Sequence, residues 1–169
     1  MTPLSYEELN NDNPEQIYNI KSFVLNLQSW KDVRDDLRVL FQNGQRFKFD
    51  EHIQDSLPRT KGIYIFFVEP QFPFQPEVRY LMYVGKVVGS NSFHHRFYEY
   101  VSGIGSHSIR RNIQLLTNLW PDKTWVYVYE LNMTDDEIEK IEDNLIDSIV
   151  PPMNNKFKAI SAKNSRSIY

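Results

Sequence analysis

Gly62-Ile63-Tyr64-Ile65-Phe66-Phe67-Val68 opens the segment from which the rest of the chain can be read, and Tyr80-Leu81-Met82-Tyr83-Val84-Gly85-Lys86 closes it. Both runs are short, rich in β-branched and aromatic residues, and bounded by turn formers, which is the composition of strands rather than helices. Together they read as a β-hairpin. Alternation puts Ile63, Ile65 and Phe67 on one face of the first strand and Tyr64, Phe66 and Val68 on the other. Both faces are apolar, so this strand is expected to be central and covered on both sides. The link between the runs carries Pro70, Pro73 and Pro76 around Phe72 and Phe74. Proline donates nothing to a ladder, so the link is a loop. Its aromatics are expected to fold back onto the sheet, with a substrate-recognition wedge as the competing reading.

On the N-terminal side, residues 5 to 44 read as helical. Ile17, Ile20, Val24 and Leu27, then Trp30, Val33, Leu37, Leu40 and Phe41, recur at spacings of three and four. Pro14 suits a first turn and Asn43-Gly44 a stop. Lys31, Arg34 and Arg38 share part of a face, which is expected to be a solvated one rather than a nucleic-acid contact. Gln45 to Ile53 is ambiguous.

On the C-terminal side, Ser90, Asn91 and Ser92 offer N-caps for a helix whose Phe93, Phe97 and Tyr100 fall at i, i+4 and i+7. Arg96 lies about 60° from Phe93 on that helix, on the flank of the apolar stripe. Gly103-Ile104-Gly105 breaks the helix, Ser106 to Leu119 reads as a second one bearing Arg110 and Arg111, and Thr124 to Leu131 as a strand. Thr134-Asp135-Asp136-Glu137 is a capping box opening a long helix with the stripe Ile138, Ile141, Leu145 and Ile149. Glu142 lies inside that stripe, about 40° from Ile138, while Glu139, Lys140, Asp143 and Asp147 fall on the far side. A core-facing carboxylate needs a partner. A buried salt bridge, to Arg96 or Lys86, and a metal-ligand role both satisfy it. Pro151-Pro152 then stops the helix before Asn154.

A chain of 169 residues, 41% hydrophobic, is long enough for one substantial core. Its first residues lack the basic and apolar regions of a secretory signal, and no apolar run approaches the roughly 20 residues of a membrane span. Cysteine is absent, which excludes disulfides and thiolate metal sites and permits a reducing cytoplasmic setting. The net charge of −3 is unevenly spread. Between residues 79 and 111, Arg79, Lys86, Arg96, Arg110 and Arg111 face only Glu99, and the tail adds Lys156, Lys158, Lys163 and Arg166 with no acid. Such asymmetry suits one face turned to phosphates. His94, His95 and His107 are expected at the surface.

Gly62-Ile63-Tyr64 and Tyr83-Val84-Gly85 on paired strands are followed by Lys86, by Arg96 and Tyr100, by Glu142-Asp143-Asn144-Leu145-Ile146, and by Pro151-Pro152-Met153-Asn154. In order and type these resemble the motifs of the GIY-YIG nuclease superfamily, over roughly residues 60 to 157. The hairpin link is longer than the family's, which leaves the register of Tyr64 against Tyr83 open. The resemblance implies an α+β fold with a small three-stranded, mostly antiparallel sheet flanked by helices. Residues 1–60 would form an N-terminal helical extension, 61–157 the nuclease domain and 158–169 a basic tail.

It also implies a function: a metal-dependent endonuclease hydrolysing phosphodiester bonds in DNA, with RNA left open as a partner. Glu142 would hold one divalent ion, Mg²⁺ or Mn²⁺. Arg96 and Lys86 would bind phosphate, and Tyr64 or Tyr83 would activate the water, its pKa lowered by the metal and the two cations. Tyr100, Arg110, Arg111 and Asn154 complete the expected substrate-binding set, Asn154 by orienting the end of the fold around Glu142. The alternative is a binding module for nucleic acid or protein on the same scaffold, without turnover.

Overall fold

The computed structural model describes residues 25–73, 78–102 and 107–158, with side chains from residue 111 onward in the last range. Outside it lie the first part of the expected N-terminal helix, Phe74 and Pro76, the Gly103–Gly105 break, the side chains of His107 and Arg110, and the tail from residue 159. In chain order the elements are α1 (Leu27–Leu40), β1 (Gln45–Lys48), α2 (Ile53–Ser56), β2 (Gly62–Val68), β3 (Tyr80–Val87), α3 (Phe93–Ser102), α4 (His107–Leu119), β4 (Thr124–Glu130) and α5 (Asp135–Ile149). The fold is α+β. Its sheet has the order β1-β4-β2-β3, and each neighbouring pair is antiparallel.

The sheet therefore has four strands where three were expected. The additional one, β1, comes from the ambiguous stretch after Gly44, and Phe47 alone of its four residues is apolar and packs against the core. One apolar residue makes no periodicity, so only pairing with β4 defines this strand. Gly44 admits that pairing: a Cβ there would stand 2.3 Å from the Tyr129 ring. Residues 27–48, read in sequence as an extension, thus supply an edge strand and a helix to the same structure.

β2 is central, and its two apolar faces each feed a core. Tyr64, Phe66 and Val68 pack with Val126 and Val128 of β4 against Phe93 and Phe97 of α3 and Ile113 and Leu116 of α4. Ile63 and Ile65 pack with Val84 against Leu37 of α1 and Ile138, Leu145 and Ile149 of α5. Phe66, Phe93 and Phe97 have no exposed surface, and each contributes about 1.5–3 kcal/mol of burial. Lys31, Arg34 and Arg38, along one flank of α1 beside the buried Leu37, are exposed as expected.

The ends of α5 are set locally. Thr134 and Glu137 exchange side-chain-to-backbone hydrogen bonds in the capping box. At the other end Val150 adopts a left-handed conformation, φ 48°, which turns the chain into Pro151-Pro152 and back toward the sheet. There Met153 N donates to Met82 O at 2.9 Å. This return strap positions the site.

Candidate active site

A cleft of about 490 Å³ opens at the β3 edge, lined by Tyr64, Tyr83, Lys86, Arg96, Tyr100, Glu142 and Asn154 among others. Residues far apart in sequence meet there because β2 and β3 present one face to α3 while α5 closes the other side of β3. Arg111 is exposed and does not line the cleft.

Tyr64 forms the floor. In register it faces Gly85, and a Cβ on Gly85 would stand 2.3 Å from the Tyr64 ring, so the glycine lets the ring lie across the β3 backbone. The ladder itself answers the register question raised by the long link: it runs unbroken from Gly62–Val87 to Phe66–Tyr83 and shifts only beyond, between Phe66 and Phe67, so the two tyrosines stand diagonally within its regular part with ring centroids 6.2 Å apart. Tyr100, one turn beyond Arg96 on α3, brings its hydroxyl to 2.5 Å from that of Tyr64.

Three phenols packed away from water are difficult to ionise. Burial pushes the Tyr64 pKa well above its ordinary value, with the neighbouring Tyr100 and Tyr83 adding to the shift. Burial likewise raises Tyr83 strongly, followed by Tyr100 and the charge of Glu142. Tyr100 is pushed up to about 12, again chiefly by burial, against the lowering effects of its hydrogen bond to Tyr64 and of Arg96. The expected depression of the tyrosine pKa is therefore not a property of the folded chain by itself: Arg96 acts in the foreseen direction, but desolvation is larger.

Arg96 sits on the flank of α3, as its spacing implies. Its Nη1 donates to Glu99 Oε2 at 3.0 Å, one turn along, and its buried Nε has no hydrogen-bond partner. Burial acts to lower the Arg96 pKa, but Tyr64, Tyr100 and Glu99 outweigh it and the net shift is upward. The guanidinium is thus a fixed cation beside the phenols with a donor to spare.

Glu142 does make an ion pair, and its partner is Lys86 rather than Arg96. Lys86 Nζ is 2.9 Å from Glu142 Oε2 and 3.3 Å from Glu139 Oε1. The Glu142 side chain is 14% exposed and that of Lys86 25%. Burial raises the Glu142 pKa despite the opposing pull of Lys86. For Lys86, burial acts to lower the pKa, but Glu142 and then Glu139 reverse it and leave it raised. The two shifts differ in what they say of the pair: for the more buried carboxylate the bridge undercompensates desolvation, and for the more exposed ammonium, served by two acids, it overcompensates. The asymmetry in burial makes both statements consistent.

Asn154 is buried at the end of the return strap. Its Oδ1 accepts from Val84 N at 2.9 Å and its Nδ2 donates to Val84 O at 2.8 Å. β3 is an edge strand, so these backbone groups lack a strand partner, and the amide side chain supplies one. Asn112 Nδ2 in turn donates to Met153 O at 2.8 Å, clamping the strap to α4.

Asn112, Glu139 and Asp143 line the cleft as well; no motif in the sequence marks Asn112 or Glu139, and Asp143 stands beside Glu142 in its motif without a role expected for it. For Glu139 and Asp143 the structure corrects the placement on the solvent side of α5 that periodicity implies. Residues 139, 142, 143 and 146 share one flank of a helix, and Lys86 of β3 meets that flank, with Nζ 3.3 Å from Glu139 and 2.9 Å from Glu142. Lys158 of the strap forms an ion pair with Asp143. His95 is exposed and faces Glu99, His94 is half-buried beside Arg59, and neither lines the cleft. Phe72 folds back as expected: it borders an apolar cavity of about 340 Å³ with Tyr80, Met82, Leu116 and Trp120, next to the cleft.

Among the described residues no group of three or more His, Cys, Asp or Glu side chains is arranged to hold a metal ion. The donor chemistry still fits Mg²⁺ or Mn²⁺, which are taken up by one or two carboxylates plus water and substrate phosphate rather than by a protein cage. Glu142 offers such an oxygen inside the cleft, and it is a carboxylate that burial leaves short of positive charge. Among the described residues no helix is long and apolar enough to cross a membrane. Comparison of the sequence with protein-family models and with curated proteins gives no match.

Proposed function

We propose that this chain is a metal-dependent endonuclease of the GIY-YIG type, hydrolysing phosphodiester bonds in DNA. The observation that carries the proposal is the gathering of Tyr64, Tyr83, Lys86, Arg96, Tyr100, Glu142 and Asn154 around one cleft. Hydrolysis of a phosphodiester needs cations on the non-bridging oxygens, an oriented water and stabilisation of the leaving oxygen. Arg96, with its unpartnered Nε, and Lys86 are suited to the phosphate oxygens. Glu142 would hold the divalent ion, which supplies Lewis-acid stabilisation of the developing charge.

Of the two strand tyrosines, Tyr83 fits the water-activating role better. Tyr64 is committed to Tyr100 at 2.5 Å on the cleft floor, whereas the ionisation of Tyr83 is opposed directly by the Glu142 charge. Neutralising that carboxylate removes one of the influences that keep the Tyr83 phenol protonated. Tyr64 and Tyr100 then act as a hydrogen-bonded pair that orients the Tyr83 ring and the attacking water. Asn154 holds the β3 edge in register with the strap, fixing Tyr83 and Lys86 relative to α5.

The test is incubation of the purified chain with supercoiled plasmid DNA. Nicking or linearisation with Mg²⁺ or Mn²⁺, abolished by EDTA, is the expected result. Binding of DNA without any cleavage under both metals would refute the enzyme and favour a binding module on this scaffold.

A further inference from the structure

Resting on the proposal that Glu142 holds the metal, we infer that Glu139 is a positioning residue: it is the second seat for the Lys86 ammonium, which leaves Glu142 able to take a divalent cation while Lys86 stays in the cleft for phosphate. The geometry carries this. Lys86 Nζ lies between the two carboxylates, 2.9 Å from Glu142 and 3.3 Å from Glu139. The two acids are one helical turn apart on α5, so the ammonium changes partner by a small swing of a flexible stem. A divalent ion and an ammonium held by the same Glu142 carboxylate would repel each other at close range, so filling the site favours moving the ammonium to Glu139.

The burial of the two acids differs in the sense that the exchange requires. Glu142, 14% exposed, is the carboxylate least able to stand uncompensated, and it has a cation in either state: the ammonium when the site is empty, the metal when it is filled. Glu139, 45% exposed, tolerates being alone because water reaches it. Asp143, the other acid on this flank, is engaged by Lys158 and does not offer the alternative seat. Without Glu139, Lys86 would remain on Glu142 and compete with the metal for it.

A double-mutant cycle read by Mn²⁺ binding tests this. Mn²⁺ alone is titrated at constant ionic strength and followed by its electron paramagnetic resonance signal, with no DNA present, for wild type, Glu139→Gln, Lys86→Met and the double variant. Melting temperature without metal checks that each is folded, and Lys86→Gln serves if Lys86→Met is not. Glu139→Gln should weaken binding on the order of fivefold in wild type and by less than about twofold in the Lys86→Met background, because the residue acts through the ammonium. Equal weakening in both backgrounds would show a through-space charge effect and overturn the inference, as would unchanged affinity in Glu139→Gln. Glu142→Gln is the separate control: Mn²⁺ bound as well by that variant as by wild type would overturn the metal assignment itself, whatever Glu139 does.

Discussion

Replacing Glu142 with Gln separates a structural carboxylate from a metal-holding one, because the two roles differ in their effect on stability. A carboxylate kept only as half of a buried salt bridge leaves its partner uncompensated when removed, at a cost of about 3–5 kcal/mol. Here the partner keeps a second acid: Glu139 stands 3.3 Å from Lys86 Nζ. The glutamine introduced by Glu142→Gln also retains a carbonyl oxygen able to accept from Lys86. Against the weakened charge-assisted hydrogen bond, worth about 1.5–3 kcal/mol, stands relief of the desolvation that raises the Glu142 pKa. Its folded pKa lies above the unfolded value, so ionisation of Glu142 opposes folding at neutral pH, and substitution by a neutral amide removes that opposition. The net change is expected within about 1 kcal/mol, or roughly 2–4 °C in melting temperature for a chain of this size. Wild type should gain about 2.7 kcal/mol in Mg²⁺ at a hundredfold excess over Kd, and Glu142→Gln nothing. Cleavage should vanish in the variant. Differential scanning fluorimetry with and without Mg²⁺, beside the plasmid assay, gives all three quantities. A loss above about 3 kcal/mol without metal, or cleavage by the variant, would overturn this account of Glu142.

Arg96→Ala should abolish turnover and Arg96→Lys should not restore it, since a point charge does not replace a planar fork on phosphate; single-turnover cleavage rates check both. Tyr83→Phe should lose activity with the melting temperature held, while Tyr64→Phe, which frees the Tyr100 hydroxyl on the cleft floor, should retain a measurable rate; the reverse order would move the water-activating role to Tyr64. Asn154→Ala orphans the Val84 N–H and C=O at a buried strand edge and should destabilise by roughly 2–3 kcal/mol, read by urea unfolding. The contribution of the buried phenols to stability should be constant below about pH 10 and be lost above it. The buried phenols ionise more readily unfolded, so the unfolded state binds fewer protons there. Absorbance at 295 nm should show part of the ten tyrosines titrating only as the chain unfolds.

The hairpin, the helix of Phe93 and Tyr100, the capped helix of Glu142 and the face assignment of β2 were legible in the sequence. Each rests on a local rule: alternation, three-and-four spacing, a capping box, or proline punctuation. The inward placement of Glu142 followed from the same periodicity. What local rules do not contain is pairing across the chain. β1 has one apolar residue in four and becomes a strand only because β4 offers it backbone partners. The register that sets Tyr83 diagonally to Tyr64, and the bulge that follows Phe66 on the side of the long loop, arise in the fit of the two strands. The choice of Lys86 over Arg96 as partner of Glu142 depends on which side of β3 each element packs, and the flank bearing Glu139 and Asp143 faces the cleft because Lys86 of β3 and Lys158 of the strap meet it there. The order of the charged residues was written in the sequence, whereas desolvation, which keeps the tyrosines neutral and raises the Glu142 pKa, is a property of packing density around a group and exists only once the chain has folded.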